Sequence, residues 1–164
     1  MKNAIYTISI IIIFLQYGLF PAVAETVPLT VVYSGNLDGE LEPCGCSDEG
    51  NLGGIKRRAT TIDGIKKQNP DSVIISAAGL IASEGANDYL KSIYILKAFA
   101  GLGYDAIGVQ WADLNYGVEL AVQNNLPWVA SNWSKDEFAK LKVINRTINN
   151  KDVEIRFFTW LDPD

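Results

Sequence analysis

The chain has 164 residues, with 14 lysines and arginines against 19 aspartates and glutamates, and it has no histidine. Without imidazole there is no Ser-His-Asp or Cys-His triad, no histidine general base and no histidine-bound zinc. The formal net charge of −5 argues against sequence-independent binding to a nucleic-acid polymer, and 48% apolar residues suit a globular chain of about one domain.

In chain order, residues 1–24 read as an export signal. Lys2 supplies the positive start, and Ile8 to Leu15 is an apolar run too short to span a bilayer. Pro21 breaks the run, and Ala22-Val23-Ala24 gives a small-x-small cleavage site before Glu25. The expected product is residues 25–164, periplasmic or extracellular, with no transmembrane segment after cleavage. An uncleaved N-terminal anchor is the competing reading.

Strands and helices then alternate. Leu29 to Tyr33 is a β-branched run ended by Ser34-Gly35-Asn36, and a loop rich in glycine and acids runs through Gly53-Gly54. Ile55, Ala59, Ile62 and Ile65 recur at helical spacing until Asn69-Pro70. Ser72 to Ser76 is a second strand. A helix from Asn87 to Gly101, a strand Ala106 to Val109, a shorter helix Val118 to Asn125 and a strand Leu126 to Ala130 follow. Strands without clean alternation, separated by helices, predict an α/β parallel sheet covered on both faces. The tail predicts a β-hairpin, Lys142 to Thr147 and Val153 to Phe158 around a loop of Asn149 to Asp152.

In such sheets ligands bind beyond the carboxyl ends of the strands. Here those ends carry a resemblance. Leu29 to Gly39 resembles the strand and T-N-D-x-H-G motif of the secreted, UshA-like 5′-nucleotidases, which are calcineurin-like metallophosphoesterases. Gly53-Gly54-Ile55-Lys56-Arg57-Arg58-Ala59 resembles their G-G-[LI]-x-R-R-A helix start, and Ile74 to Leu80 falls on their D-A-G-D strand end. Leu102 to Gly117 runs without a gap along their L-G-Y-D-A-x-x-x-G-N-H-E-F-D-Y-G segment. The resemblance covers about residues 29 to 132. It implies a metallophosphoesterase-like domain over 25–164 that is incomplete, ending after the first half of the family's domain in a hairpin.

The resemblance also implies a degenerate site. Two-metal phosphoester hydrolysis needs carboxylates and imidazoles around two divalent ions. The family's Asp-x-His falls on Asn36 and Asp38, its bridging aspartate on Leu80, and its asparagine and adjacent histidine on Trp111 and Ala112. Asp38 and Asp113 remain as oxygen donors. With Asn36 they suit a hard cation such as calcium, although such groups more often cap turns. No metal or other cofactor is expected.

Glu42-Pro43-Cys44-Gly45-Cys46 holds the only two cysteines. Some UshA-like relatives carry an E-P-C-G-C motif, and some are selenoproteins. Cys44 and Cys46 are redox candidates, since so short a ring makes a strained and reducible disulfide. A structural pair, a soft-metal site and an intermolecular bridge stay open. Gly53, Gly54, Arg57 and Arg58 are candidates for holding an anion at a helix start, against a solvated basic turn. Trp111 and Trp128 line a pocket or fill the core. Asn132 and Asn145 each begin a glycosylation sequon, a short pattern of high chance frequency. The expected function is a non-hydrolytic accessory or binding role in the cell envelope, with an envelope protein or a second copy as partner. The rival expectations are a thiol-redox protein and residual nucleotidase activity.

Overall fold

The computed structural model describes residues 26–43, 53–81, 85 and 87–162. The segment read as an export signal, residues 1–24, and the redox candidates Cys44 and Cys46 therefore lie outside the described residues. Four short strands, β1 (Val31–Ser34), β2 (Val73–Ser76), β3 (Ala106–Gly108) and β4 (Trp128–Val129), form a parallel sheet in the order β1-β2-β3-β4. Helix α1 (Ile55–Gln68) connects β1 to β2, α2 (Asp88–Leu102) connects β2 to β3, and α3 (Val118–Val122) precedes β4. The tail forms an antiparallel hairpin of β5 (Lys142–Ile148) and β6 (Lys151–Phe157).

Alternation along β2 explains the layering. Ile74 joins Ile107, Trp128 and the helix residues Ile62, Ile95, Leu96 and Phe99 in the main core. Val73 and Ile75 point the other way, where Ala106 and Val129 meet Ile144, Ile155 and Phe157 of the hairpin. Side chains two apart share a sheet face, so helices cover one face and the hairpin the other. Both faces are covered, as the sequence predicts, but the second cover is β-structure. No helix among the described residues is long and apolar enough to cross a membrane.

Polar ties lock these layers. The Arg146 guanidinium of β5 donates to Asp105 Oδ1 at 2.6 Å and to the Ser72 carbonyl at 3.2 Å. Asp105 Oδ2 accepts from the Ile74 amide at 2.9 Å. Helix α2 ends where Gly103 turns left-handed, and Lys66 Nζ of α1 donates to the Leu102 and Gly103 carbonyls at 2.9 and 2.8 Å.

Candidate functional site

The loops beyond the strands' carboxyl ends are tied together by their backbones. The Leu37 and Asp38 amides both donate to the Gly79 carbonyl, at 2.7 and 3.0 Å, and the Gly39 amide donates to the Leu80 carbonyl at 3.2 Å. Gly79 has φ +71°, and a Cβ there would lie 2.5 Å from Asn36 Oδ1. Only glycine permits this approach at that φ. Asn36 Oδ1 also accepts from Gln110 Nε2 at 3.1 Å, which brings in the loop after β3.

Asp113 is the centre of this arrangement. It sits in a 3₁₀ turn (Trp111–Leu114) and is 1% exposed. Its Oδ1 accepts from the Leu80 and Ile81 amides at 2.7 and 3.2 Å, and its Oδ2 from the Gly79 and Gln110 amides at 2.9 and 3.0 Å. Burial raises its pKa above the ordinary 3.8, and the four amide donors pull the other way without overcoming it. Asp113 thus caps its own turn through the Gln110 amide, and it is buried with both oxygens already bonded.

The other resemblance positions scatter by environment. Leu80 is fully buried in the main core, and Ala112 is half-buried. Asn36 and Asp38 are exposed, Asp38 with a left-handed backbone at φ 50°. Trp111 is 43% exposed, while Trp128 is buried and donates from Nε1 to the Ala121 carbonyl at 2.9 Å. Among the described residues no three or more His, Cys, Asp or Glu side chains gather as metal ligands would.

At the start of α1, Gly53 and Gly54 have φ +84° and +83°, and a Cβ on Gly54 would meet Pro43 Cδ at 2.9 Å. The first amide of the helix, on Ile55, donates to the Leu41 carbonyl at 3.0 Å. Arg58 donates to Tyr104 Oη at 3.0 Å and lies 5.5 Å from the Phe99 ring centre, so it is half-buried rather than solvated. Arg57 is exposed.

The chain after β6 returns to the same end of the sheet. The Ser131 amide donates to the Thr159 carbonyl at 2.8 Å, and the Asn132 side chain bonds Leu161 twice, at 2.6 Å to its carbonyl and 2.9 Å from its amide. Trp111 Nε1 donates to the Asp162 carbonyl at 2.6 Å. These bonds set Trp160 beside Trp111 along a groove of about 400 Å³. The sequence reading missed Asp113 as a hub and Asn132 as a clasp. A lone acid inside an apolar stretch, Trp111-Ala112-Asp113-Leu114, was the available signal for the hub.

No family model matches the sequence, and no curated protein does. Solved structures do. The 5′-nucleotidase precursor from Thermus thermophilus superposes with a TM-score of 0.62 at 18% identity, over 82% of this chain and 29% of that one. The fold is that of the calcineurin-like phosphoesterases. The calcineurin-like phosphoesterase YfkN from Bacillus subtilis gives a TM-score of 0.59 at 17% identity, over 85% of this chain and 50% of that one. The NAD nucleotidase of Haemophilus influenzae gives 0.62 at 10% identity, over 77% and 25%. This chain spans a quarter to a half of the length of these phosphoesterase-fold structures.

Proposed function

We propose that the protein is an exported, non-hydrolytic binding or accessory protein built on part of the phosphoesterase fold, with residues 1–24 as its leader. The observation that carries this reading is the bonding of Asp113. Four amides take both carboxylate oxygens of this buried acid at the strand ends, so neither is left to bridge cations. Leu80, in the place where the resemblance puts a bridging aspartate, offers only hydrocarbon, and Asn36 Oδ1 is held by Gln110. Of the positions where the resemblance puts metal ligands, Asp38 is the one that carries a carboxylate, and one such group does not fit a pair of divalent ions. An envelope protein or a second copy of the chain is the partner this role implies.

The purified protein is to be assayed on 5′-nucleotides and bis(4-nitrophenyl) phosphate with magnesium, manganese, cobalt or calcium. We expect turnover equal to the metal-only blank. Turnover that disappears in Asp38→Ala would overturn the reading.

A further inference from the structure

The groove between Trp111 and Trp160 has a chemical character of its own. Trp111 is 43% and Trp160 70% exposed, so both indoles offer ring surface to solvent. Trp111 is held in place from two sides, by its Nε1 bond to the Asp162 carbonyl and by the edge of Trp133, whose ring centre lies 6.3 Å away at 60°. Asp162, exposed, lines the same groove, and no lysine or arginine among the described residues does. Indole faces carry negative quadrupole density, and with a carboxylate beside them they attract a cation and repel an anion.

The hydrogen-bond inventory says which kind of cation. The Leu161 carbonyl is taken by Asn132 Nδ2, the Asp162 carbonyl by Trp111 Nε1, and the Gln110 side-chain oxygen by the Asp113 amide. A primary ammonium brings three donors and, with these acceptors occupied, meets the Asp162 carboxylate on one side only, so part of the hydration it loses is not recovered. A quaternary ammonium has no N–H to satisfy, and its methyl groups suit the ring faces. We infer that this groove binds quaternary ammonium cations of the choline type. The inference stands whether or not the neighbouring loops hydrolyse phosphoesters.

Choline and tetramethylammonium are to be titrated into the purified protein at constant ionic strength, by tryptophan fluorescence and by calorimetry. The uncharged isostere of choline, 3,3-dimethylbutanol, is the control. Saturable binding of both cations is expected, with the alcohol at least about tenfold weaker, since a cation on an indole face contributes about that factor. Trp160→Ala, at a largely exposed position, should keep its far-UV circular dichroism and lose calorimetric binding. Asp162→Asn should weaken binding severalfold. No saturation by either cation, equal binding of the alcohol, or undiminished binding by a folded Trp160→Ala protein would each overturn the inference.

Discussion

Asp113 shows how one side chain can organise a site without performing chemistry in it. Its two oxygens gather amides from the loop after β2 and from its own turn, and the Gly79 and Leu80 carbonyls in turn hold the loop after β1. In Asp113→Asn one oxygen becomes an NH₂ that confronts amide donors, leaving buried N–H groups unpaired. We expect a loss of about 3 kcal/mol in denaturant unfolding. The pH dependence has a definite sign. Burial raises the folded pKa above the unfolded value, so between the two the folded state binds more protons and stability falls as pH rises. The wild-type advantage over the asparagine variant should therefore shrink from pH 3.8 upward and level off above the raised pKa. An advantage that grows with pH across that range would mean the amides, not burial, dominate this carboxyl.

Hairpin β5–β6 is the element that turns a half-covered sheet into a two-sided one. Ile144 is 4% exposed between Val73, Ala106 and Val129. Ile144→Ala removes the central side chain of that layer, and a loss of about 2–4 kcal/mol is expected. Hydrogen exchange should locate it, with β5 and β6 amides deprotected before those of β2; uniform deprotection would show that hairpin and sheet open as one unit. Much of this architecture was readable beforehand, because β-branched runs such as Val73-Ile74-Ile75 and a helical period such as Ile55, Ile62 and Ile65 mark buried parallel strands and covering helices. The 3₁₀ turn Trp111–Leu114 was not, since four residues carry no period. Nor was the tight turn. Asn149 and Asn150 both take left-handed φ, 52° and 62°, so two residues suffice where a longer loop was expected and both strands gain length. Asp113 was visible in the sequence as an oxygen donor at a strand end, but its bonding needed two loops in space.

At the scale of the whole molecule, the two sheet faces are unequally covered. In the parallel register Val31 pairs with Val73 and Tyr33 with Ile75, so Val31 and Tyr33 point to the hairpin side. Yet Val31 is 47% and Tyr33 66% exposed, whereas Val73 is 1% exposed. The hairpin thus seals the centre of this face and leaves the β1 edge open. Phe158, just past β6, is 70% exposed as well. Apolar groups left at a sheet edge bind hydrophobic dyes, and changing them touches little that holds the fold together. A Val31→Thr, Tyr33→Thr double variant places a β-branched, strand-favouring residue at both positions while removing the apolar surface. We expect it to lower the fluorescence of bound anilinonaphthalene sulfonate at pH 7 and to change unfolding stability by less than about 1 kcal/mol. A large loss of stability would mean that these side chains pack in the folded protein more closely than their exposure indicates. Dye emission equal to wild type would place the dye-binding surface elsewhere, with Phe158 the next position to replace.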